Sequence, residues 1–256
     1  MRNSIAALVL LVSSLWACSP QIGDGPLARA DGEYARGNYL QAEGLYQAYL
    51  QSTPQGDERW RVWNRLLDIC LVVNDTPTKA VTILEAMILE FADRPERSAE
   101  LTWKLAEVHT RMRNWGKAAE TWLHLLTEES VPTDRLWEIH HNLGKIYQFQ
   151  GHYDLARDAM SAAVDNAPDG PARATCLYEL AQAFFLLNNN EQARDCLRKL
   201  LEAQGVDPEL EARSIYMLAE IAVAQGDIPA ARDLFRSILE TYPNPRAVET
   251  QLKLLQ

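Results

Sequence analysis

The chain is short of cysteine: four in 256 residues, only three of them beyond position 18. Three thiols cannot staple a small loop-rich scaffold, so the fold must rest on a packed core. Positive charge is also scarce, with 25 basic residues against 35 acidic ones and a formal net charge of −10. A surface that neutralises phosphates needs the opposite balance, which excludes nucleic acid as a partner class. The longest greasy stretch, Ile5 to Leu15, has 11 residues, short of the roughly 20 that cross a bilayer as a helix. There is no glycine-rich phosphate loop, no GxSxG and no histidine pair at metal-ligand spacing. These absences read as a non-enzyme with no cofactor and no metal. Low-complexity segments and long single-sign runs are missing too. What is present is a 47% hydrophobic composition, enough for one elongated domain or two small ones.

The N-terminus reads as an address rather than as structure. Arg2 supplies a positive start, the apolar stretch follows, and it ends in Leu15-Trp16-Ala17-Cys18. This resembles a bacterial lipobox, although Trp16 stands where a small residue is usual. The resemblance implies a signal peptide at 1–17 and a mature chain beginning at Cys18, with lipid such as palmitate on that residue. Ser19 in second place implies the outer membrane, facing the periplasm. An ordinary signal peptide cut nearby, or an uncleaved anchor, is the alternative. Residues 18–25 read as a lipidated tether, and eight residues reach at most about 28 Å.

Beyond the tether one pattern recurs six times. Alanines fall at Ala42, Ala80, Ala118, Ala156, Ala193 and Ala231, in steps of 38, 38, 38, 37 and 38. Four residues after each comes a large apolar side chain: Tyr46, Leu84, Trp122, Met160, Leu197 and Phe235. Another four on stand Leu50, Ile88, Leu126, Val164, Leu201 and Leu239. Positions i, i+4 and i+8 mark one face of a helix. Upstream, Leu–small pairs at Leu105-Ala106, Leu143-Gly144, Leu180-Ala181 and Leu218-Ala219 mark a first helix whose small residue lets two axes approach. Turn residues separate the helices at Gly37-Asn38, Asn74-Asp75, Gly151-His152, Asn188-Asn189 and Gly226-Asp227. Pro54, Pro168 and Pro243 stop the second helices.

The stretch HHNLGKIYQFQGHYDLARDAMSAAVDNAP, residues 140–168, carries the pattern in full and resembles the tetratricopeptide repeat (TPR). Residues 215–243 match nearly as well. Two departures stand out: Arg29 where leucine is usual, and Asp68 where a small residue is usual, a costly choice if buried without a partner. The step of 38 exceeds the usual repeat of about 34 residues. The resemblance implies an all-α fold, a right-handed α-solenoid of about six helix hairpins over 26–245 with a concave inner face. A short capping helix over 246–256 closes it, with Val248, Leu252 and Leu255 on one side.

In that family the first helices line the concave surface. Two residues before each leucine of the pairs stand Arg65, Trp103, His141, Tyr178 and Tyr216. Four further on stand Ile69, Glu107, Lys145, Gln182 and Glu220. The expected partner-binding groove is therefore Arg65, Trp103, Glu107, His141, Lys145, Tyr178, Gln182, Tyr216 and Glu220. A ladder of rings beside mixed polar groups suits a peptide segment. The same rings at helical spacing also suit packing between adjacent first helices, and the sequence leaves both open. Glu138 and His141 share one face but make a weak metal pair. Cys176 and Cys196 lie on facing helices, as a disulfide or as buried thiols.

The function that the resemblance implies is a membrane-anchored periplasmic scaffold that docks other envelope proteins or peptide segments, with the membrane contacted through lipid on Cys18. Similar lipid-anchored repeat proteins serve outer-membrane assembly, type IV pilus biogenesis and polysaccharide export. A glycan- or ligand-binding accessory protein and a structural spacer are the other readings.

Overall fold

A computed structural model describes residues 25–256, all of whose regular elements are helical. The signal peptide, Cys18 and nearly all of the tether lie outside the described residues. The chain divides into two compact units, one ending at Thr76 and one spanning Pro77–Gln256.

The first unit holds α1 (Pro26–Ala35), α2 (Tyr39–Ser52) and α3 (Glu58–Asp68), the last running into a π turn over Ile69–Val73. Its core is Ala30, Ala42, Tyr46, Val62, Leu66 and Ile69, all at most 1% exposed. Tyr46 donates through its hydroxyl to Asp31 at 2.7 Å, and Arg61 pairs with the same carboxylate at 2.9 Å. Buried Arg59 donates to the Leu50 carbonyl at 2.7 Å and to that of Thr53, which ties the end of α2 to the start of α3. Arg29 and Asp68 are both exposed, so neither departure from the repeat pattern buries a charge.

The second unit holds α4 (Pro77–Glu90), then α5 (Pro95–Arg111) with α6 (Trp115–Leu125), and α7 (Leu136–Phe149) with α8 (Tyr153–Asn166). It continues through α9 (Pro171–Leu186) with α10 (Asn190–Glu202), α11 (Pro208–Ala224) with α12 (Ile228–Ser237), and α13 (Pro245–Leu254). Each helix packs on the next in sequence. First helices α5, α9 and α11 run to 16 or 17 residues, against 10 to 14 for the second helices. Much of the repeat's extra length lies there.

Burial follows the repeat register. The six alanines are at most 1% exposed, as are the six large residues four positions later. The third row is graded: Leu50 is buried, while Ile88, Leu126, Val164, Leu201 and Leu239 are half-buried. The seam of α7 and α8 is the tightest, since a Cβ on Gly144 would lie 2.7 to 2.9 Å from three side-chain atoms of Met160. The other seams set alanine against a differently shaped partner: Ala106 with Trp122, Ala181 with Leu197, Ala219 with Phe235.

Every connection from first to second helix passes through the left-handed region, at Gly37, Asp75, Arg113, Gly151, Asn188 and Gly226. Five of the six close the same way. The amide one residue later donates to the carbonyl five residues back, as in His152 to Tyr147 at 2.9 Å and Asn114 to His109 at 3.0 Å. This is a Schellman closure. After α3 the span is six, Thr76 to Cys70 at 2.7 Å, because the π turn adds a residue. Six helices, α1, α4, α5, α9, α11 and α13, begin on proline, whose missing N–H would be unpaired there anyway.

At the C-terminal end α13 lays fully buried Val248, with Leu252 and Leu255 beside it, over Phe235 and Ile238. Arg232 fixes its last turn by donating to the Leu255 carbonyl at 2.8 Å.

Candidate functional site

The face formed by the first helices carries the residues singled out by register. In the first unit, the Arg65 guanidinium lies 4.4 Å from the centre of the Tyr34 ring. Ile69, in the row expected to be polar, is fully buried.

In the second unit the ring row is a seam rather than a free wall. Trp103 and Tyr178 are each only 8% exposed. Trp103 meets Trp122 edge-on at 4.9 Å. Trp103, His141 and Tyr178 each meet a residue from the next repeat along, and Tyr216 meets residues that follow α12. Arg135 sits 3.8 Å from the centre of Trp103. Glu179 approaches His141, Oε2 to Nε2, at 2.9 Å. Arg213 lies 5.1 Å from the centre of Tyr178. Tyr242 stacks on Tyr216 at 4.7 Å, and Gln251 reaches the Tyr216 hydroxyl at 3.4 Å. Of the two arrangements the sequence left open, packing between adjacent helices describes Trp103 and Tyr178: an aromatic face there gains more from burial and an edge or cation contact than from water. Glu138 turns to Arg135 at 2.9 Å instead of joining His141.

The polar row keeps more of its exposure. Glu107 and Lys145 are exposed, while Gln182 and Glu220 are half-buried. Glu107 also accepts from the Trp103 indole at 3.0 Å. Burial pushes the Glu220 carboxyl above the usual carboxylate range.

Two cavities open beside these helices, one between α5 and the α6–α7 connection and one between α9 and α11. One, of about 420 Å³, is lined by Trp103, Lys104, Glu107, Val131, Pro132 and Arg135 among others. The second, of about 320 Å³, brings Tyr178, Gln182, Tyr216 and Glu220 together, with Phe185, Arg213 and Tyr242. Six of the nine expected residues thus border cavities; His141 and Lys145 lie between them along the chain, and Arg65 belongs to the first unit. Arg135, Arg213 and Tyr242 were missed because they follow no common register. A third cavity, of about 820 Å³, lies among α8, α9 and α10, lined by Val164, Arg173, Leu177, Cys196 and Lys199.

Cys176 and Cys196 are free and buried, and Cys70 is buried. Cys176 faces Ala163, Ala167 and Trp137, whereas Cys196 joins the core around Leu197 and Leu200. Burial pushes the Cys176 thiol up to about 12, so it is a packing group rather than a nucleophile. Among the described residues no helix is long and apolar enough to cross a membrane.

A row of helix hairpins closed on alanine seams, with cavities beside the first helices, defines an α-solenoid. Residues 135–205 match one family model of the tetratricopeptide repeat and residues 178–246 another, so this stretch is built of such repeats. Comparison with curated proteins finds no match. Among solved structures, the chain is similar to PilF of Pseudomonas aeruginosa, at 14% identity and a TM-score of 0.56, covering 88% of this chain and 96% of that one. PilW, a type IV pilus biogenesis factor, is 19% identical with a TM-score of 0.56, covering 89% and 96%. The C-terminal part of a TPR protein from Cytophaga hutchinsonii is 15% identical with a TM-score of 0.60, covering 84% and 78%. At these identities the likeness establishes the fold.

Proposed function

We propose that this protein is a membrane-anchored scaffold of the periplasm, docking protein segments on its first-helix face during assembly of an envelope complex. The observation that carries the docking role is the cavity between α9 and α11, which combines four rings with an acid and a base. Such pockets supply buried aromatic anchors within a polar rim, the pattern of peptide-binding surfaces. The anchor rests on Cys18 at the end of a short apolar stretch. Several acyl chains add about 0.8 kcal/mol per buried methylene, enough to hold the chain at a membrane. The likeness to PilW, named as a type IV pilus biogenesis factor, makes pilus assembly the leading pathway.

The test is affinity purification from detergent-solubilised envelopes with quantitative mass spectrometry. The triple variant Glu107→Ala/Lys145→Ala/Gln182→Ala should lose the proteins recovered with the native chain, while keeping its helical content. Unchanged recovery would contradict docking on this face. Cys18→Ser should move the protein from the membrane fraction to the soluble periplasmic fraction.

A further inference from the structure

The cavity of about 320 Å³ at the C-terminal end has an unusual wall. Four rings surround it, Tyr178, Phe185, Tyr216 and Tyr242, and α11 contributes one acid and one base. The base, Arg213, is already engaged over Tyr178. The acid, Glu220, is not. Among the described residues no side chain bonds to or pairs with its carboxylate, and burial alone accounts for the perturbation of its acidity. Seven residues separate the two, about 10 Å along a helix, so the Glu220 end of the cavity is negative and lined with π faces.

A half-buried carboxylate without a counter-charge is costly, and an aromatic wall attracts cations through its ring faces. Arg135 over Trp103 and Arg213 over Tyr178 show that the ring row in this unit already takes guanidinium groups. From this charge complementarity, and resting on the docking role above, we infer that the cavity receives a lysine or arginine side chain from an extended partner segment. Glu220 supplies the counter-charge, beside the stacked pair of Tyr216 and Tyr242. An acidic or purely apolar side chain would leave Glu220 unpaired and desolvated further.

The experiment uses fluorescein-labelled Ser-Gly decapeptides with two phenylalanines flanking a central lysine, arginine, norleucine or glutamate, read by fluorescence polarisation against the full chain. The lysine and arginine peptides should bind about tenfold more tightly than the norleucine peptide, the size of a desolvated charge contact, and the glutamate peptide weaker still. Glu220→Gln should abolish that preference, whereas Glu249→Gln, on exposed α13 surface, should preserve it. Melting curves of each variant confirm that the fold is retained. Equal binding of all four peptides, or a preference that survives Glu220→Gln, overturns the inference but leaves docking intact. Silence from every peptide overturns both. A concentration-dependent dimer broken by Glu220→Gln would give the cavity to a basic residue of a second copy and likewise overturn it.

Discussion

The guanidinium carbon of Arg135 lies 3.8 Å from the centre of the Trp103 ring, and the two come from consecutive repeats. His141 with Glu179 and Tyr178 with Arg213 repeat the relationship along the unit. The row is thus a chain of clasps that fixes each first helix against its successor. Trp103→Ala should therefore cost about 3–5 kcal/mol, the range for truncating a buried tryptophan. Arg135→Ala should cost about 0.5–2 kcal/mol. Urea unfolding followed by circular dichroism measures both.

Gly144 faces Met160 with no room for a Cβ. Gly144→Ala should destabilise by about 1–3 kcal/mol through overpacking. Adding Met160→Leu should recover much of that loss, because the double variant reproduces the Ala181–Leu197 seam of the next repeat. The same unfolding measurement on single and double variants tests the coupling.

Arg113 adopts φ +56° at a turn where three equivalent positions carry glycine. A side chain there meets the left-handed penalty that glycine avoids. Arg113→Gly should stabilise by about 1 kcal/mol, and Arg113→Val should destabilise. A shift of the urea midpoint in opposite directions is the expected result.

Buried His109 and half-buried Glu220 bend the pH dependence in opposite senses. Burial holds His109 below the usual histidine range, with the Glu85 and Glu120 charges raising it and Lys117 lowering it. Among the described residues its Nδ1 has no hydrogen-bond partner. The unfolded chain takes up this proton more readily than the folded one, so stability falls as pH drops through about 6.5 toward the depressed folded value. His140, also lowered by burial, adds to the effect. His109→Gln should flatten the decline in melting temperature between about pH 7 and 5. Glu220 works the other way: its folded value is raised, so its contribution is intact below about pH 4.5 and lost as pH climbs through the raised value. Glu220→Gln should accordingly raise the melting temperature at neutral pH.

The alanine register was legible because three rows at i, i+4 and i+8 fix one helical face regardless of neighbours. The cap was legible for the same reason, through Val248. The ring row was half legible: Trp103 and Tyr178 sit at positions that point both inward to the face and sideways to the next helix, and the sequence left both open. Periodicity locates an angle around one helix and says nothing of what occupies the space beside it. The turn at Arg113 was hidden because its αL residue is neither glycine nor asparagine. The π turn at Ile69–Val73 leaves the alanine step at 38 and so leaves no trace in it. Proline at the first position of six helices was a usable signal of where they start.

The docking role is tested most directly by site-specific photo-crosslinking in cells. A benzophenone side chain would replace Glu107 or Lys145, exposed on first helices α5 and α7, or Leu89 or Leu123, exposed on second helices α4 and α6. The account predicts discrete adducts with envelope proteins from Glu107 and Lys145 and none from the other pair. Adducts confined to Leu89 and Leu123 would contradict it.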